Sequence, residues 1–100
     1  MVVIKIQLGD VFQIDWSDGV TIIYKAYKVA DHKLLCTKCS LDTRIARHAV
    51  FIVDKVRKKG SKVSVDILMS YDIRFRKLPK LKALLYEPIL DEEAKRWGLL

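Results

Sequence analysis

The sequence predicts a mainly β (α+β) fold, a small curved antiparallel sheet or barrel with a C-terminal helical cap. Two patterns point to it. Through residue 77, apolar and polar residues alternate in short segments separated by Gly, Asp and Ser turns. After Pro79 the apolar spacing becomes that of a helix. Length sets the scale, because 100 residues with 51% hydrophobic and 31% charged side chains can bury a core without disulfide staples. With no repeat, low-complexity run or linker, residues 1–100 read as a single domain, a β-rich core at 1–77 and a helical segment at 78–100.

Val2, Ile4 and Ile6 alternate with Val3, Lys5 and Gln7 as a strand, and Leu8-Gly9-Asp10 supplies a turn. Val11 to Trp16 is the next strand, with Phe12, Ile14 and Trp16 on one face and Gln13 and Asp15 on the other. Ser17-Asp18-Gly19 reverses the chain into a strand from Val20 to Val29, and Asp31-His32 turns it again into Lys33 to Lys38. Ser40 to His48 reads two ways, as a short helix capped by Asp42 or as a lead into a strand. Ala49 to Val56 is apolar and β-branched. Lys62 to Met69 puts Val63, Val65, Ile67 and Met69 on one face, and Arg57 to Ser61 between the two is a basic hairpin tip.

Tyr71 to Lys77 places Tyr71, Ile73 and Phe75 on the core side and Asp72, Arg74 and Arg76 on the other. Leu81, Leu84 and Leu85 then have helical spacing until Pro88 interrupts. Asp91 is a candidate cap for a last helix with Leu90, Ala94 and Trp97 on one side, Glu92 four residues before Arg96, and Gly98 as terminator. The opening Gly9-Asp10-Val11-Phe12 followed by Ser17-Asp18-Gly19 resembles the start of many SH3-like barrels, including those of ribosomal and chromatin proteins. The likeness spans about a dozen residues and bears on fold alone.

Charge is distributed unevenly. Ten of the nineteen Lys and Arg residues lie between Lys55 and Lys82 with only Asp66 and Asp72 against them, so that stretch carries +8, against +1 for residues 1–54 and −2 for residues 83–100. A contiguous cationic zone interleaved with strand-forming residues suits a polyanionic partner. The expected contacts are Arg57, Lys58, Lys59 and Lys62 on the hairpin, Arg74, Arg76 and Lys77 on the following strand, and Lys80 and Lys82 beyond the Pro79 turn. Long cations of this kind meet phosphates and carry no base information. The bland alternative is a solvated face that serves solubility. Tyr24, Tyr27, Tyr71 and Phe75 are the rings that could stack on bases. Tyr24 and Tyr27 must face opposite ways on a regular strand, and Tyr27, between Lys25 and Lys28, is the one expected outside.

His32, Cys36, Cys39 and His48 are the one group with metal-ligand chemistry, since a Cys-x2-Cys pair in a tight turn can grip zinc. The Cys39 to His48 spacing is shorter than in common zinc fingers and there is no second Cys pair, so the preferred reading is two free cysteines, no metal and no cofactor. His48 or His32 as a general base beside the basic zone would suit a small ribonuclease of toxin type. There is, however, no Gly-rich phosphate loop and no Gly-x-Ser-x-Gly, and a binding protein rather than an enzyme is expected.

The absence of Asn and the presence of only Gln7 and Gln13 resemble thermophilic composition. No apolar run reaches the ~18 residues of a membrane span, and with two cysteines and no signal-like N-terminus the chain reads as cytoplasmic. The expected partner is nucleic acid, RNA in a ribosome-like ribonucleoprotein before DNA, with no membrane and no small-molecule substrate. A DNA-binding chromatin-type protein, the nuclease and a protein-binding adaptor are the rivals.

Overall fold

The computed structural model describes residues 1–70 and 72–100, so the reading of Tyr71 lies outside the described residues. Seven strands form one antiparallel sheet: β1 (Val2–Gln7), β2 (Val11–Asp15), β3 (Thr21–Ala30), β4 (Lys33–Ser40), β5 (Ala46–Lys59), β6 (Lys62–Met69) and β7 (Arg74–Lys77). Their order is β1-β6-β5-β4-β3-β2-β7, curled into a nearly closed barrel. Two short helices follow, α1 (Lys80–Ala83) and α2 (Glu87–Arg96). The predicted small β barrel with a helical cap is the observed architecture.

The curl is built into β5. Its first half, from Ala46 to Ile52, pairs with β4, and its second half, from Val53 to Lys59, pairs with β6, with a register shift between Val53 and Lys55. One long strand thus belongs to both walls, and an irregularity of this kind bends a strand and sharpens its twist. The turns use the residues that tolerate left-handed backbone: Gly9 (φ 93°) and Gly19 (φ 87°), and, among residues with a Cβ, Asp31 (φ 50°) and His32 (φ 59°) at the β3–β4 reversal.

Period-two alternation sorts the side chains into two cores. Inside the barrel lie Ile4, Ile6, Phe12, Ile14, Tyr24, Ala26, Leu34, Cys36, Val53, Val65, Ile67 and Met69. On the outer face, Val11, Ile23 and Cys39 pack against Leu78, Ala83, Tyr86 and Leu90 of the helical segment. The same alternation places Cys36 and Cys39 on opposite faces of β4, three residues apart, both buried and free.

Polar groups hold α2 as well. Lys25 Nζ donates to Glu87 Oε2 (2.8 Å) and Asp91 Oδ1 (2.9 Å), Tyr27 OH donates to Asp91 Oδ1 (2.7 Å), and Thr37 Oγ1 donates to the Tyr27 oxygen (3.2 Å). Burial opposes the Lys25 charge, but the two carboxylates outweigh it and raise its pKa.

Several local expectations change. The stretch after Ser40 is a turn leading into β5, not a helix, and β5 begins at Ala46 rather than Ala49. α2 begins at Glu87, because Pro88 sits in the first turn where no backbone N–H is needed and its fixed φ suits a helix. Asp91 is therefore inside α2 and binds Lys25 instead of capping. Arg96 pairs with Glu93 (3.5 Å) rather than Glu92. α1 is a single turn that buries Ala83, leaving Leu81, Leu84 and Leu85 exposed.

Candidate nucleic-acid interface

All nine expected contact residues are exposed. From Lys55 onward β5 pairs with β6 in regular register to Lys59 and Lys62, which face each other across a two-residue Gly60-Ser61 turn. The hairpin is regular because Val56, Val63 and Val65 favour the strand on both sides and Gly60 takes the left-handed turn position (φ 62°). β1 ends opposite Ser64, with Leu8 N–H bonded to Val63 O (2.9 Å), so only the end of the hairpin, from Lys59 to Lys62, extends beyond the last β1 contact.

β7 is not a sheet neighbour of this hairpin; it pairs with β2 at the opposite edge. The two halves of the basic zone are linked through the β1–β2 turn. Lys77 Nζ reaches Asp10 Oδ1 (3.1 Å), Gln7 N–H donates to Asp10 Oδ2 (2.9 Å), and Gln7 stands opposite Ser64, which stands opposite Arg57. Lys77 and Lys80 line a cleft with Gly9 and Asp10 at this end of the barrel. Arg74 lies at the far end of β7, opposite Asp15.

The charges are partly compensated. Arg57 is bonded to Asp66, Lys77 to Asp10, and Arg76 approaches Asp15 at 3.9 Å. Lys58, Lys59, Lys62, Arg74, Lys80 and Lys82 have no ion-pair partner among the described residues. Two of the three counterions, Asp10 and Asp15, come from residues 1–54, a pairing that a linear charge count cannot show.

Asp66 is the unusual one. It is 4% exposed on the outer face of β6 and sits in register between Lys5 of β1 and Lys55 of β5. The Arg57 hydrogen bond, helped by the Arg57, Lys5 and Lys55 charges, holds its carboxyl below the usual carboxylate range. Lys5 thereby joins the cationic face, although it is 50 residues from Lys55 in sequence. A folded pKa below the unfolded value of ~3.9 gives stability that is present above that value and lost as pH falls through the folded pKa. Urea midpoints of Asp66→Asn should therefore lie below the parent's by a constant amount from neutral pH to about pH 5, and converge with them below about pH 4. A gap unchanged down to pH 2 would mean that the Asp66 charge contributes nothing to stability.

The four metal-candidate residues are not brought together. Cys36 points into the barrel and Cys39 under the helices, His32 is in the β3–β4 turn, and the His48 ring rests 4.1 Å from the Trp97 ring on the outer face. No group of His, Cys, Asp and Glu among the described residues could hold a metal ion. Burial raises both thiol pKa values. His48 lies in the first half of β5, away from the hairpin tip, and neither histidine is on β7.

Tyr24 is the inward ring of its pair, 3% exposed, and Tyr27 faces out but is roofed by α2 and bonded to Asp91. Phe75 packs on the core at 5.4 Å from Phe12. Leu90 and Ala94 are fully buried within the chain, while Trp97 remains 54% exposed with its indole N–H on Glu93 (2.8 Å). No helix among the described residues is long and apolar enough to cross a membrane.

Fold and surface together define a small antiparallel β barrel with a helical cap and a cationic hairpin. No family model, curated protein or solved structure matches the chain.

Proposed function

We propose that the protein binds nucleic acid through phosphate contacts, with RNA in a ribonucleoprotein preferred over DNA. The observation that carries this reading is the set of exposed cations without ion-pair partners among the described residues, three of them at the end of the two-stranded β5–β6 ribbon. Such a ribbon can lie in a groove or along a backbone, and point-charge ammonium groups suit phosphate rather than base edges. Lys77 and Lys80 flank the β1–β2 turn, which lies beside the ribbon through the Leu8 to Val63 bond. The preference for RNA rests on the combination of small size, high charge and basic hairpin extension common among ribosomal proteins.

Titration with structured RNA, duplex DNA and single strands over a range of salt tests the proposal. Affinity should fall linearly in log–log form with salt, and structured RNA should bind most tightly. Tighter duplex DNA binding would transfer the role to DNA. No binding to any of them at low salt would overturn the proposal.

A further inference from the structure

The barrel is open at the end away from the hairpin, where the first half of β5 has β4 on one side only. A cavity of about 610 Å³ fills this mouth, within the ~300–1,000 Å³ range of ligand sites. Trp16, Tyr24 and Phe51 form its aromatic wall, and Lys38 and Ser70 are among its polar lining residues. The wall is packed from behind: the Tyr24 ring is stacked on Phe12 (centroids 5.3 Å) and meets Phe51 edge-on (5.1 Å).

Two details point to the chemistry of an occupant. Tyr24 OH accepts a hydrogen bond from Trp16 Nε1 (3.0 Å), so its own proton has no acceptor among the described residues. Burial pushes the Tyr24 pKa up to about 12, which keeps that proton in place at neutral pH. The second detail is the register. Tyr24, Lys38 and Arg47 stand directly opposite one another across β3, β4 and β5, which sets the backbones of Lys38 and Arg47 about 5 and 10 Å from that of Tyr24. Like charges opposed across strands cost stability, and neither has a carboxylate partner among the described residues. An anion between them would relieve that cost.

We propose that the barrel mouth binds a nucleotide, its base against Trp16, Tyr24 and Phe51 with a base acceptor on the Tyr24 hydroxyl, and its phosphate on Lys38, which also lines a neighbouring cleft together with Arg47. The base supplies a flat face and a hydrogen-bond acceptor, and the phosphate supplies the anion, each answering one feature of the cavity. The site shares no residue with the hairpin and goes beyond the phosphate contacts assigned there.

Trp97→Phe leaves Trp16 as the sole indole and makes its fluorescence a reporter of the mouth. Titrating this variant with adenosine 5′-monophosphate, a short oligouridylate and an RNA duplex should quench Trp16 with the first two and not with the duplex. Quenching by the mononucleotide as strongly as by the oligomer would identify a free-nucleotide site, and quenching by the oligomer alone a single-strand site; both support the proposal. Added to that background, Tyr24→Phe should weaken the quenching ligand about five-fold. Lys38→Gln should lower the salt slope for the oligomer by about 0.7. Silence of Trp16 toward both mononucleotide and oligomer, or equal affinity of Tyr24→Phe and its parent, would overturn the site. Duplex binding that persists beside a silent Trp16 would leave the hairpin reading standing, and Trp16 quenching without duplex binding would do the reverse.

Discussion

Phe12→Ala should remove about 4 kcal/mol of folding stability and lower the melting temperature by roughly 20 °C. Phe12 is fully buried, and its ring contacts three others, Tyr24 at 5.3 Å, Phe75 at 5.4 Å and Phe51 at 6.1 Å between centroids. These rings come from β2, β3, β5 and the edge strand β7, so a cavity here loosens four strands at once. A small domain has only about 5–15 kcal/mol in total, and the variant should be close to unfolded at physiological temperature. Phe12→Leu keeps most of the volume and should cost much less. Denaturant midpoints of both variants measure the difference, and a loss below 1 kcal/mol for Phe12→Ala would mean that the barrel interior collapses around the gap.

Phe12 was assignable to the core from sequence because β2 obeys period-two alternation without interruption. Val2 to Ile6 and Val63 to Met69 were legible for the same reason, and the Gly9, Gly19 and Gly60 turns were legible because each needs backbone that glycine supplies. What sequence could not show was pairing between distant segments. β5 is longer than its apolar run because its ends, Ala46 to His48 and Arg57 to Lys59, are strand by virtue of partners on β4 and β6 rather than propensity. Leu81, Leu84 and Leu85 have the spacing of a buried helical face, yet α1 is too short to present them to the sheet, and Leu78, Ala83 and Tyr86 fill that place.

The candidate surface divides the same way. Its hairpin cations were evident as a cluster in the chain, but the ion pairs from Asp10 and Asp15 and the inclusion of Lys5 follow from strand register. The barrel-mouth row of Tyr24, Lys38 and Arg47 carries no sequence motif at all, since its members are 14 and 9 residues apart and meet only through β3–β4 and β4–β5 pairing.

The largest functional effect should come from Lys58→Glu, Lys59→Glu and Lys62→Glu combined. These three are exposed, have no ion-pair partner among the described residues and flank the Gly60-Ser61 turn, so their reversal breaks no contact of the barrel. Each lost phosphate contact removes about 0.9 from the log–log salt slope on duplex, so three should lower it by about 2.7, and the added repulsion should weaken binding by more than about 100-fold at moderate salt. Melting temperature should stay near the parent's, because surface substitutions away from specific contacts usually shift stability by less than ~0.5 kcal/mol. The matching reversal of Arg57, Arg76 and Lys77 is a poorer test, since it also sets Glu against Asp66, Asp15 and Asp10 and confounds binding with folding. Parent-like affinity in a folded triple variant would remove the ribbon from the interface. A loss confined to duplex ligands, with Trp16 still quenched by a single strand, would separate two contact surfaces at the two ends of β5.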